Sequence, residues 1–148
     1  MDKGKDYIGV SCGTIIFNKE GKVLIGQRGS AARDDEGIWD FPGGAVEYGE
    51  LGEHAIEREV EEEFGIGIEV IELINLVQVI EPEKHWIGPA YVAKLVRGEV
   101  KILEKDKFKD FKWADISKVK DMKLTTPGRQ NLEAYEERYG LKPHPEIL

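Results

Sequence analysis

A single cysteine, Cys12, among 148 residues excludes an intramolecular disulfide framework and leaves any Cys-based zinc site without its partners. Cys12 lies in the apolar run from Ile8 to Phe17, where a small packing side chain is expected rather than a nucleophile. No apolar stretch approaches the roughly eighteen residues that a membrane-spanning helix needs, so no membrane partner is expected. The N-terminus, MDKGKDYIGVSCG, lacks a basic segment followed by an apolar run and a small-residue cleavage site, and the expectation is a cytoplasmic protein. Basic residues are in deficit, with 21 Lys and Arg against 29 Asp and Glu and a net charge of −8. That balance argues against a surface that binds nucleic acid by neutralising phosphates. An acidic protein acting on a polyphosphate needs something to separate acid from acid, and a divalent cation serves. Asn and Gln together number six while Lys and Glu are abundant, a bias of heat-adapted proteins.

What is present fits one domain, residues 1–148, with a core over about 8–140 and a C-terminal tail at 141–148. Ile8 to Phe17 and Lys22 to Arg28 are rich in Val, Ile and Gly, and Asn18 to Gly21 supplies turn chemistry, which predicts a hairpin. Residues 28–37 read as a polar loop, Ile38 to Phe41 as a short strand, and Pro42-Gly43-Gly44 as a tight turn. Glu50 to Phe64 predicts a helix, with Gly65 as its C-terminal stop. Strands are expected over 68–80, from Trp86 to Val96 and from Asp110 to Ala114. Thr126-Pro127 resembles a helix cap followed by Pro at the first helical position, and Leu132, Tyr135 and Tyr139 recur at helical spacing before Gly140. The order of elements suggests a mixed β-sheet sandwiched between helices.

Within the first helix Glu59, Glu62 and Glu63 stand at i, i+3 and i+4, so three carboxylates share one face. Like charges on adjacent turns repel by a few tenths of a kcal/mol per pair unless a counter-ion is present. Hard cations prefer oxygen ligands, and clustered carboxylates suit Mg²⁺, with Mn²⁺ as the alternative. Ile56, Val60 and Phe64 form a neighbouring stripe that can anchor the helix on the sheet. An acidic helix alone is more commonly a solvated surface, which is the reading for Glu57 and Glu61. The surrounding pattern decides otherwise for the three. From Gly44 the chain follows G-x5-E-x7-R-E-U-x-E-E-x-G-U, where U is bulky and apolar, and every fixed position is filled.

This pattern resembles the Nudix box of the Nudix hydrolases, with Gly44, Glu50, Arg58, Glu59, Val60, Glu62, Glu63, Gly65 and Ile66 at its nine defining positions over 23 residues. Gly37 to Gly43 is similar to that family's approach to the box, and the likeness covers most of residues 8–116. The resemblance implies an α/β/α sandwich and hydrolysis of a P–O–P bond. It also implies metal binding by Glu59, Glu62 and Glu63 together with a carbonyl of Gly43 or Gly44. Glu50 would be an additional helper near the metals, and Glu62 or Glu63 the first choice for general base. Arg58, one helical turn before Glu62, is expected to orient carboxylates through its planar fork. An acid before the last strand contributes in relatives, and Glu104, Asp106 and Asp110 are the local candidates.

Specificity lies outside the box. Residues 81–99 look like those of small MutT-like pyrophosphatases that release pyrophosphate from (d)NTPs, including oxidised guanine nucleotides. Pro82, sixteen residues beyond Ile66, resembles a cue of ADP-ribose pyrophosphatases, although strand termination explains it as well. Trp39, Trp86 and Tyr91 could stack on a base or pack in the core, and Arg28 and Arg33 could meet phosphates or be surface charge. His54 and His85 lack paired ligand spacing, and His144 lies in a tail expected to be loosely ordered. The expected partner is a small-molecule nucleotide, and a homodimer is expected from how common pairing is among such small sandwiches. A binding module that keeps the fold without hydrolysis is the reading of a different class.

Overall fold

The computed structural model describes residues 1–29 and 37–147. β1 (Gly9–Phe17) and β2 (Val23–Arg28) form the expected hairpin, with Phe17 opposite Val23. Asn18 closes its turn by accepting hydrogen bonds at Oδ1 from the backbone N–H of Glu20 and of Lys22, and Gly21 takes the positive φ that the turn requires.

β3 (Trp39–Asp40) pairs with β2. Pro42-Gly43-Gly44 is not the tight turn expected, because Gly43–Ala45 is a strand, β4, antiparallel to β1. Glycine there serves close approach: a Cβ on Gly43 would lie 2.4 Å from the Cys12 carbonyl oxygen.

β5 (Gly67–Glu81) and β6 (Lys84–Arg97) make a long antiparallel hairpin. Pro82 and Glu83 form its two-residue turn, Glu83 having φ 63°, so Pro82 serves the turn. β6 runs parallel to β1, and β7 (Phe108–Ala114) pairs antiparallel with β2. The described strands thus form one mixed sheet in the order β3-β2-β1-β6-β5, with β4 also on β1 and β7 also on β2.

Helix α1 spans Gly52–Phe64, not Glu50–Phe64. Leu51 at the N-cap is extended and makes no side-chain cap bond, and this leaves Glu50 in the preceding loop. Gly65 ends the helix in the left-handed conformation, its N–H donating to the Glu61 carbonyl. The short α2 (Ile116–Val119) carries no strong sequence pattern, and α3 covers Thr126–Tyr139. The cap of α3 is Thr125 rather than Thr126: its hydroxyl accepts from the Gly128 N–H at 3.1 Å.

Helices cover both faces of the sheet. On one, Ile56, Val60 and Phe64 of α1 pack on Cys12, Ile16, Leu24 and Ala93. On the other, Leu132 and Tyr135 of α3 and Ile116 and Val119 of α2 pack on Ile15, Phe17, Ile25 and Val92. Each fully buried aliphatic side chain contributes about 1.5–3 kcal/mol. The alternation of β1 between the two clusters is what makes it a central strand.

The tail is fixed, contrary to expectation. Tyr135 donates to the Lys142 carbonyl, and His144 is buried with Nε2 2.8 Å from Glu72. Arg138 and Tyr139 of α3 also reach Glu72, so one carboxylate on β5 gathers helix and tail. No helix among the described residues is long and apolar enough to cross a membrane.

Candidate active site

Position four residues apart on α1 directs Glu59 and Glu63 toward the sheet, while Glu62 turns outward. Glu59 and Glu63 are 6% and 1% exposed, whereas the Glu62 side chain is 51% exposed. The three carboxylates therefore divide into a buried pair and an outer member. A carboxylate buried to this degree must be paired.

Two cations do the pairing. Arg58 binds Glu50 through both arms of its fork, Nε to Oε2 at 2.7 Å and Nη2 to Oε1 at 2.9 Å. Its Nη2 also donates to the Ala45 carbonyl at 3.1 Å, and its Nη1 lies 3.1 Å from Glu59 and 3.2 Å from Glu62. One side chain thus ties the glycine strand β4, the loop and α1 together. Hydrogen bonds from Arg58, then from the Glu47 backbone N–H, bring the Glu50 carboxyl down to about 2. The same contacts hold the Arg58 guanidinium charged, well above its ordinary range.

Lys107 is the second cation. Its Nζ stands 2.9 Å from Glu63 Oε2 and 3.6 Å from Glu59 Oε2. The spacing of the box gives no hint of this residue, which sits in the charged run Glu104 to Lys107, where only the acids stand out as candidates. The register of β7 on β2 brings it in, with the Gly29 N–H donating to the Lys107 carbonyl. Burial works against the Lys107 charge, but Glu63, Glu59 and Glu104 outweigh it and raise the pKa. Burial pushes the Glu63 carboxyl up to about 8 against the pull of Lys107, with Glu59 and Glu104 adding to the rise.

The remaining candidates fall as follows. Of the three acids near β7, Glu104 is the one whose charge acts on Glu63 and Lys107, while Asp106 and Asp110 are exposed. A Cβ on Gly44 would lie 2.2 Å from the Glu59 carboxyl carbon, so glycine there leaves room for that carboxylate. The Gly44 carbonyl faces the Cys12 thiol at 3.5 Å, and burial drives that thiol up to about 12, where it is no nucleophile. Arg33 lies outside the described residues. His54 and His85 are solvent-accessible.

Beside the carboxylates opens a cleft of about 670 Å³ between β4, the β5–β6 hairpin and the start of α3. Phe41, Val77, Val79 and Trp86 give it apolar walls, and Arg28, Asp40, Lys107 and Asn131 bring polar groups. Trp86 is held by the N-terminal segment, since a Cβ on Gly4 or Gly9 would overlap its indole. Tyr91, by contrast, is buried in the cluster under α1, and Trp39 lies beneath the Lys112 ammonium. Arg28 faces Asp40 at 3.8 Å and lies over Phe108, with its Nε buried and without a hydrogen-bond partner among the described residues. Asp40 and Asn131 escaped the sequence reading. Asn131 is buried on α3 and accepts from Asn75 at 3.2 Å, a contact 56 residues apart that no local pattern announces.

The donor set suits a divalent cation. Its oxygens are hard, Glu63 Oε1 is buried without a hydrogen-bond partner, and the missing Cβ at Gly44 leaves the carboxylates space. Among the described residues no three acidic, histidine or cysteine side chains close into a ready cation cage. Arg58 and Lys107 lie between the carboxylates instead.

Comparison with known proteins agrees with this geometry. The family model of the NUDIX domain matches residues 8–135. The crystal structure of a MutT NUDIX hydrolase from Burkholderia pseudomallei superposes with a TM-score of 0.78 at 33% identity, over 87% of this chain and 98% of that one. The 8-oxo-dGTP diphosphatase of Proteus vulgaris is 36% identical over 57% of this chain and 72% of its own length. The CTP pyrophosphohydrolase of Escherichia coli is 42% identical over 40% of this chain and 43% of its own length. The chain spans 38% of the length of one curated relative and 72% of another. With a family model covering most of the chain, the box complete and the sandwich in place, this is a MutT-like member of the Nudix hydrolase family.

Proposed function

We propose that the chain is a Mg²⁺-dependent nucleotide pyrophosphohydrolase that converts a nucleoside triphosphate, (d)NTP or oxidised dGTP, to the monophosphate and pyrophosphate. The observation that carries this reading is the buried pair Glu59 and Glu63 beside a cleft with an aromatic wall and cationic groups. Glu59 and Glu63 hold the cation, with the carbonyl of Gly43 or Gly44 and with Glu62 as further oxygens. A bound Mg²⁺ supplies Lewis acidity that activates water and offsets phosphate charge. Glu62, half exposed and held among the described residues only by Arg58 at 3.2 Å, would accept the proton of the attacking water. Arg58 keeps the carboxylates in place and does not touch substrate. Glu104 contributes negative charge from the β7 loop.

The base occupies the apolar part of the cleft against Trp86, where stacking is worth about 1–3 kcal/mol. Asp40 and Asn131 face the same space and read its edge, and Arg28 meets phosphate. The relatives are named for different nucleotides, so the leaving group is decided in this cleft. Comparing kcat/KM for dNTPs, oxidised dGTP, CTP, ADP-ribose and dinucleoside polyphosphates tests the reading. A triphosphate preference supports it. A preference for ADP-ribose would select the alternative suggested by Pro82, and inertness with Mg²⁺ toward all of them would favour a binding module. A homodimer belongs to the same proposal, with Leu76 and Ile80, exposed on the edge strand β5, as apolar surface to cover. A monomeric mass in light scattering would contradict that part.

A further inference from the structure

Lys107 makes contact with the two buried carboxylates where a cation is wanted. We propose that Lys107 is a tethered counter-ion that competes with the divalent cation for Glu63 and Glu59, so that the loop before β7 sets the metal affinity of the site. The inference rests on the reading that these two glutamates hold the cation.

The two cations of the site differ in how they are held. Arg58 is fixed by both arms to Glu50 and by Nη2 to the Ala45 carbonyl, so it stays where it is. Among the described residues the Lys107 ammonium has no such second anchor: its one hydrogen bond is to Glu63 Oε2, with Glu59 Oε2 farther off at 3.6 Å. The base of the side chain is pinned, because Lys107 N–H donates to the Glu104 carbonyl and its own carbonyl accepts from Gly29. Beyond that base the side chain is a flexible four-carbon stem.

The fit of the ammonium is also incomplete. It satisfies Glu63 Oε2 and leaves Oε1 buried with no hydrogen-bond partner among the described residues. A divalent cation brings twice the charge and binds carboxylate oxygens at about 2.0–2.6 Å, so its repulsion of an ammonium seated on the same carboxylate opposes occupancy by both. Displaced, the ammonium remains tethered beside the cleft that Lys107 lines, where a phosphate oxygen can receive it. Cation binding and phosphate binding are thereby coupled through one side chain.

Calorimetric titration of Mn²⁺ into the wild type, Lys107→Met and Lys107→Arg tests this. Removing a competitor from the bound oxygens should tighten Mn²⁺ about tenfold in Lys107→Met, whereas Lys107→Arg, which keeps the charge, should stay near the wild type. Affinity that is unchanged or weaker in Lys107→Met overturns the proposal. Should Lys107→Met fail to fold, the wild type answers by itself: acetic anhydride labelling of the Lys107 amine, followed by mass spectrometry, should accelerate several-fold when Mg²⁺ is added. A labelling rate indifferent to Mg²⁺ overturns it equally. If the wild type hydrolyses nucleotide with Mg²⁺ while both readouts are flat, only the role of Lys107 falls. If no form of the protein binds Mn²⁺, the metal-dependent function falls and takes this inference with it.

Discussion

Arg58 holds Glu50 through two parallel hydrogen bonds, at 2.7 and 2.9 Å, across the loop that joins the glycine strand to α1. The fork matters more than the charge, because Nη1 is left aimed at Glu59 and Glu62 only when Nε and Nη2 are both engaged. Replacing Arg58 by Lys keeps the charge and removes the fork. Misplacement of the carboxylates should lower kcat/KM by about 10- to 100-fold. Steady-state kinetics with a thermal melt checks this, and near-normal turnover would remove Arg58 from its positioning role.

Gly44 tests the packing of the same site. A Cβ there would stand 2.2 Å from the Glu59 carboxyl carbon, too close for any real contact. Gly44→Ala should lose about 1–3 kcal/mol of stability and most of the activity. Denaturant unfolding and turnover, measured on one preparation, give both numbers. A stable and fully active Gly44→Ala would mean that Glu59 has freedom the packing denies it.

The glutamates should separate by role. Glu63→Gln and Glu62→Gln should each cut turnover by orders of magnitude while circular dichroism stays that of the wild type. Mn²⁺ affinity should fall much more in Glu63→Gln than in Glu62→Gln, because Glu63 is buried beside Glu59 and Glu62 is half exposed. Equal affinity losses would contradict the assignment of Glu62 as base.

The Glu72 clamp predicts a pH dependence of stability. Burial by itself raises the Glu72 carboxyl, but hydrogen bonds from Tyr139, His144 and Arg138 outweigh it and hold the pKa below its ordinary value of 4.5. A carboxyl held low stabilises the folded state above its unfolded value, and that contribution is lost as pH falls through the folded value. Glu72→Gln should therefore lower stability by about 1–2 kcal/mol near pH 7, with the difference shrinking below about pH 4.5. Thermal melts at the two pH values decide, and a difference that grows in acid would refute the clamp.

Local features of the site were legible and distant ones were not. Glu59, Glu62 and Glu63 announce themselves because helical spacing alone brings them to one region, and Gly65 marks the end of α1 for the same local reason. What spacing cannot tell is that Glu62 would turn outward, since this depends on how Ile56 and Val60 roll the helix onto the sheet. Lys107 lies 44 residues from Glu63 and reaches it through the β2–β7 pairing, which no local spacing announces. Gly43-Gly44 reads as a turn because glycine usually breaks strands, whereas here the crowding of Cys12 and Glu59 demands it within one. Glu50 stays outside the helix in a turn where its N–H donates to the Glu47 carbonyl and its carboxylate is held by Arg58, a contact eight residues away that helical spacing does not announce. The tail reads as loose because its anchor, Glu72, lies 72 residues before His144.

The central claim is that the buried glutamates serve cleavage of a P–O–P bond in a nucleotide, and phosphorus NMR tests it most directly. Wild-type protein incubated with a nucleoside triphosphate and Mg²⁺ should convert the three phosphate resonances to those of a monophosphate and pyrophosphate. EDTA or Glu63→Gln should abolish the conversion. An unchanged triphosphate spectrum across the dNTPs, oxidised dGTP and CTP, from folded protein with Mg²⁺, would contradict the account.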